Sequence, residues 1–131
     1  MNLKQEQEQF VEFIKNNYNV NCDITTEFLD LDKFKSDITL FIGFDNINFE
    51  LSKYDDDCMN YGKLNVSCYL VVRNDTPSNL NNKLLESTDE FYKLIENENY
   101  IDLKNIEFFN YVSGNKYIVA TEFTLGLLIK L

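Results

Sequence analysis

Two acidic groupings, Asp30 with Asp32 and the run Asp55, Asp56 and Asp57, are where this sequence gathers groups capable of chemistry. Closely spaced carboxylates can hold a hard cation through oxygen, or act as an acid–base pair in glycoside hydrolysis. A calcium loop needs oxygen donors at alternate positions, then a glycine and a distant glutamate. Asp55 and Asp57 begin that spacing, and Met59 breaks it. A sugar-cleaving pair needs a deep cleft, usually lined by Trp, and the chain contains no Trp. The acidic run therefore reads as a solvated loop, and no metal site is expected.

Composition closes the other routes to catalysis. The chain has no histidine, which removes the usual general base near neutral pH and the commonest metal ligand. Ser-His-Asp and Cys-His arrangements go with it. A nucleophilic Cys22, Cys58 or Cys68 would need a basic neighbour to lower its pKa, and Cys58 directly follows three aspartates. Cys22 and Cys68 fall in phase with apolar strand residues, as buried thiols do. Gly43, Gly62, Gly114 and Gly126 stand singly, so there is no glycine-rich phosphate cradle. No catalytic residue and no cofactor is expected; the chain reads as something other than an enzyme.

Charge narrows the partners. Twenty-two acids against twelve bases give a net charge of −10. The bases are lysines except for Arg73, and they are scattered along the chain. A protein that neutralises phosphates gathers Lys and Arg on one surface, so tight nucleic-acid binding is not expected. The opening MNLKQEQEQF has no apolar run of the kind a signal peptide carries. No stretch approaches the 18 apolar residues of a membrane span. The expectation is a cytoplasmic product without membrane contact.

These residues must be positioned by a small set of elements. Leu3, Phe10, Val11, Ile14 and Tyr18 share one face of an amphipathic helix that NNYNVN ends. Val20, Cys22, Ile24, Thr26 and Phe28 alternate with polar residues and predict a strand. In ITLFIGFDNINFELS the apolar set Ile38, Leu40, Ile42, Phe44 jumps phase to Ile47, Phe49, Leu51. A one-residue slip swaps every side chain to the other face. Either Asp45-Asn46 makes a turn, or a bulge near Gly43 keeps one strand. A surface loop over 53–63 follows, then a strand with Leu64, Val66, Cys68, Leu70 and Val72 inward.

A second helix starts near Asp75, Thr76 or Ser78, with Pro77 in its first turn. Leu80, Leu84, Phe91, Leu94 and Ile95 form its buried stripe, and Tyr92 flanks it. Strands at about 105–112 and 117–131 close the chain around SGNK, a hairpin signal. The order predicts one α+β domain over 1–131: a two-layer sandwich, its sheet mostly antiparallel, with two helices packed on one face.

The last strand is too long for that domain. Fifteen residues alternate from 117 to 131, a reach of about 50 Å when extended. A compact domain of this size is roughly 36 Å across. Past Gly126 both strand faces turn apolar, through Leu127, Leu128, Ile129 and Leu131. Tyr54, Tyr61, Tyr69, Tyr92, Tyr100 and Tyr111 fall in loops or on outward faces, the composition of protein contact patches. Together these place an outer sheet face or edge against another chain.

The element order also resembles a known family. A leading helix, antiparallel strands, the strand NVSCYLVVRND, the helix PSNLNNKLLESTDEFYKLI and the hairpin IEFFNYVSGNKYIVATEFTLGLLIKL together resemble the tail terminator, or tail completion, proteins of phages and phage-tail-like particles. The resemblance covers a pattern of elements and no residue motif. It implies a structural protein that forms a ring, typically of six copies, at the head-proximal end of a tail tube. Such a ring ends tube growth and joins the tube to a connector or the terminal sheath ring. It implies as partners the chain itself, the tube protein and that connector or sheath ring. It further implies assembly in the bacterial cytoplasm and a final place in a virion or tail-like particle.

An interface would then be expected at Tyr54, Asp55, Asp56, Asp57, Met59 and Tyr61 in the acidic loop, and at Leu127, Leu128, Ile129 and Leu131. A second class fits the same charge: a small acidic immunity or antitoxin-type inhibitor, steered onto a basic protein by its negative surface. That class predicts a monomer with an acidic patch, for example Asp55 to Asp57 with Glu96 and Glu98.

Overall fold

The computed structural model describes residues 2–27, 36–51, 60–113 and 116–130. Helix α1 (Leu3–Asn17) begins where the Asn2 side chain accepts a hydrogen bond from the Gln5 N–H at 3.1 Å. That bond satisfies one of the free donors at the helix start. Phe10 and Ile14, four residues apart, are its buried residues. The helix stops at Tyr18, whose backbone turns extended.

Among the described residues five strands form one sheet in the order β1-β2-β3-β5-β4. The predicted strand over Val20 to Phe28 shrinks to β1 (Asp23–Thr25), which runs parallel to β2 (Ile38–Leu51). The sheet is therefore mixed. Phe28 lies outside the described residues, as do Asp30 and Asp32. The phase slip in β2 is a bulge between Phe44 and Asn46, which leaves Asp45 as the extra residue, so one strand continues to Leu51. Strand β3 (Asn60–Val72) pairs antiparallel with β2. Tyr61 consequently belongs to a strand and not to the loop in which its sequence placed it.

Helix α2 (Pro77–Glu96) has Thr76 as N-cap and Pro77 in its first turn. It is approached through Asn74, whose φ of 66° lies in the left-handed region that Asn tolerates. Asp75 accepts hydrogen bonds from the Thr76 N–H and the Asn79 amide and pairs with Lys83 at 2.7 Å. These partners hold its carboxyl down at about 2. Strands β4 (Ile101–Ser113) and β5 (Lys116–Lys130) form an antiparallel hairpin, and β5 also pairs with β3. Strand β4 starts four residues earlier than its alternation suggested. A bulge between Leu103 and Asn105 hides the first half of the pattern.

Both helices contribute to a single main core. Phe10 and Ile14 of α1, and Leu80, Leu84, Phe91 and Ile95 of α2, pack with Leu40, Ile42, Leu64, Val66, Cys68, Leu70, Phe123 and Leu125 of the sheet. Phe91 sits with its ring centroid 4.5 Å from Phe123 and 5.5 Å from Tyr18. Burial of one such side chain stabilises by about 1.5–3 kcal/mol. Two polar contacts are enclosed with it. The Tyr18 hydroxyl donates to the Ser87 carbonyl at 2.8 Å, and the Thr88 and Thr121 hydroxyls bond at 2.9 Å. Burial, with Cys22 and Glu90 nearby, raises the Tyr18 pKa, so the phenol stays a donor.

Candidate interface

The two described cysteines are held as thiols. Cys68 is fully buried and Cys22 half-buried. Burial, then Asp45, pushes the Cys68 thiol up, and burial, then Asp23, pushes Cys22 up to about 11. Neither supplies a thiolate near neutral pH. Among the described residues no three metal-ligating side chains come together. A groove of about 730 Å³ is open to solvent between α2 and the Asn19–Val20 segment, and Glu86, Asp89 and Glu90 on its wall are solvated. Cys58 and the run Asp55, Asp56, Asp57, with Tyr54, Met59 and Leu131, lie outside the described residues.

The far end of β5 is not bare. Leu127 and Ile129 are each only 3% exposed and belong to the main core. Leu127 pairs across to Leu64 and to Ile101, and Phe10 of α1 lies in the same cluster. The Leu128 N–H donates to the Tyr100 carbonyl at 2.8 Å, which carries the ladder one step further. Of 127–129, the Leu128 side chain, 47% exposed, faces out. The expectation that 127–129 form uncovered apolar surface is therefore corrected for Leu127 and Ile129: α1 and the neighbouring strands cover them.

The surplus length of β5 emerges at its other end. The last ladder pair of β3 with β5 is Val72 with Val119, whereas β4 and β5 stay paired as far as Ser113 with Lys116. The hairpin thus runs on past the end of β3. On the helix side of the sheet, Phe108 is 58% and Val112 68% exposed, and Tyr117, opposite Val112, is 51% exposed. On the other side Tyr111 is also 51% exposed, and its ring stacks on Phe109 at 6.2 Å.

That second side carries its own small apolar cluster. Phe41, Val71 and Ala120 are buried there, flanked by Tyr69, Phe109 and Ile118, with no helix residue among them. Toward the other end of the same face the surface turns polar. The Ser67 hydroxyl donates to Asp45 at 2.7 Å, the Asn65 amide to Asn46 at 2.6 Å, and the Lys104 ammonium to Asn65. Lys63 pairs with Asp102 at 3.5 Å. Gly126 leaves room for the Lys104 stem; a Cβ there would sit 3.1 Å from its Cε.

Neither a protein-family model nor a curated protein matches this sequence. Among solved structures, the chain matches the sheath/tube terminator of an extracellular contractile injection system, PVC, in the extended state. The TM-score is 0.51 at 12% identity, over 100% of this chain and 57% of that one. The fold resembles a terminator's. At that identity the likeness concerns the backbone arrangement alone, and this chain spans little more than half the length of the terminator it matches.

Of the anticipated contact residues, the structure leaves Leu128 exposed and Tyr61 half-buried, opposite Lys130 on β5. The apolar surface at Phe108, Val112 and Tyr117 was not singled out from the sequence. Its signal was present: FFNYV puts apolar side chains on both faces of β4, the same anomaly that drew attention to 127–129.

Proposed function

We propose that this protein is a tail-terminator-type structural subunit, acting by assembly and not by catalysis. Likeness to a sheath/tube terminator over the whole of this chain carries the reading. In it, residues 1–131 make one α+β domain, a two-layer sandwich with both helices on one side. Copies form a closed ring, six being the number the family resemblance implies. The ring ends growth of a tube and meets a connector or terminal sheath ring through the acidic connection with Tyr54, Asp55, Asp56, Asp57 and Met59. Assembly takes place in a bacterial cytoplasm before the ring joins a virion or tail-like particle. The net charge of −10 suits a channel past which DNA slides without binding.

The test is to add the purified protein to a polymerising tube protein from the same genome. Shorter tubes capped at one end in negative-stain images are expected; tubes of unchanged length and bare ends would refute the role. The acidity also fits the second reading, a monomeric inhibitor of a basic protein. The native mass of the purified chain separates the two.

A further inference from the structure

We propose that copies of this chain join by strand addition: the outer edge of β4 on one copy pairs antiparallel with residues 46–51 of β2 on the next. That a second copy is the occupant rests on the ring reading above.

Strand β4 is a sheet edge with little to protect it. Soluble proteins blunt such edges with bulges, lysines or prolines, because an open row of N–H and C=O groups recruits other strands. Here the bulge and its Lys104 come early. Residues 105–113, NIEFFNYVS, then run on with one charge, Glu107, and no proline. Among the described residues the opposite side of the sheet is open too. Strand β1 pairs with β2 only at Thr39, Leu40 and Phe41. Among the described residues, no strand lies beyond the rest of β2 on that side. Phe49, in this stretch, is 70% exposed.

Register follows from direction and pleat. β2, β3, β5 and β4 alternate in direction, so β4 runs opposite to β2. Copies set side by side by a rotation therefore bring β4 antiparallel to the neighbour's β2, as β3 already is on the other edge of β2. Phe49 and Phe108 both point to the helix side, since their ladders run through Gly62–Ile129 and through Thr121. Placing them opposite each other makes an aromatic cross-strand pair.

The two free stretches lie toward opposite ends of the sheet. Pairing them staggers successive copies and tilts the strands, as closure of any barrel requires. Four exposed side chains on the hairpin offer roughly 400 Å² of apolar surface, about half of what each partner contributes to a standard interface. Backbone pairing and Phe49 supply the remainder. A two-fold β4–β4 contact would stop at two copies and leave Phe49 bare. Joining β4 to β2 is head-to-tail and can close a ring.

The experiment is a set of light-scattering masses with a disulfide test. Tyr111→Lys and Phe108→Lys, both at exposed sites within the paired stretch, should each lower the native mass to a single chain with unchanged circular dichroism. In a Cys22→Ser, Cys58→Ser background, an equal mixture of Phe49→Cys and Phe108→Cys chains should oxidise to covalent dimers. Neither variant alone should do so. An oligomer insensitive to both lysines, or covalent dimers from Phe108→Cys alone, would overturn the strand pairing and leave the terminator role intact. A monomeric wild-type chain at tens of micromolar would overturn both.

Discussion

The two ends of the β4–β5 hairpin are built from nearly the same kind of sequence and meet opposite fates. At one end Leu127 and Ile129 are shut into the core beside Phe10, and of 127–129 the Leu128 side chain reaches solvent. At the other, Phe108, Tyr111, Val112 and Tyr117 stay more than half exposed. Both stretches are apolar on both strand faces. What separates them is the position of the neighbours: α1 and β3 reach the first, whereas β3 ends before Tyr111, Val112 and Tyr117, and Phe108, level with Leu70 of β3, sits on the edge strand. An apolar strand end reports a need for cover, and only the packing says whether the chain supplies it.

That contrast can be broken most directly by truncation to alanine. Leu127→Ala or Ile129→Ala should cost about 2–5 kcal/mol in urea denaturation, the range for buried aliphatics. A loss near zero would mean that the end is not core. By the same logic, removing 127–131 would unfold the subunit instead of freeing it from its partners. A smaller effect is expected at Thr121, which lies between the two ends on β5. Thr121→Val leaves the Thr88 hydroxyl buried without its 2.9 Å partner and should cost about 1–3 kcal/mol. Adding Thr88→Val should recover part of that loss. Recovery of nothing would show the hydroxyl pair to be irrelevant.

At the exposed end, Val112→Lys should change the stability of a dilute, dissociated chain by less than about 0.5 kcal/mol. A larger loss would place Val112 in a core of its own. The smallest effect concerns Asp75, far from both ends at the start of α2. Its carboxyl is lowered from 3.8 to about 2 by bonds from Lys83, Asn79 and the Thr76 N–H. A depressed pKa adds stability that is present above the unfolded value and fades as pH falls from about 4 to 2. Asp75→Asn should flatten the acid limb of thermal stability in that window. An unchanged limb would show that these bonds do not persist in solution.

Much of the fold was legible because its signals are local. The α1 stripe of Phe10, Ile14 and Tyr18, the Thr76-Pro77 start of α2, and the inward set of β3 each depend on periodicity or capping within a few residues. The phase slip in β2 demanded a bulge or a turn, and pairing with β3 chose the bulge at Asp45. Alternation through Val20 to Phe28 predicts a longer strand than β1, because a ladder needs a partner and, among the described residues, β2 meets it only at three.

The exposed apolar surface was harder to place. From the sequence alone, this protein is committed to an acidic α+β chain without histidine, with Cys22 and Cys68 in phase with apolar strand residues and with apolar side chains on both faces of its strand ends. Which part stays unhidden was decided in three dimensions. Strand order, the reach of α1 and the point where β3 stops involve partners far apart in sequence, and burial depends on who arrives alongside and not on the residue itself. The side chains of Leu127 and Val112 have similar hydrophobicity; one is 3% exposed and the other 68%, because a helix lies over one and nothing in the described chain lies over the other.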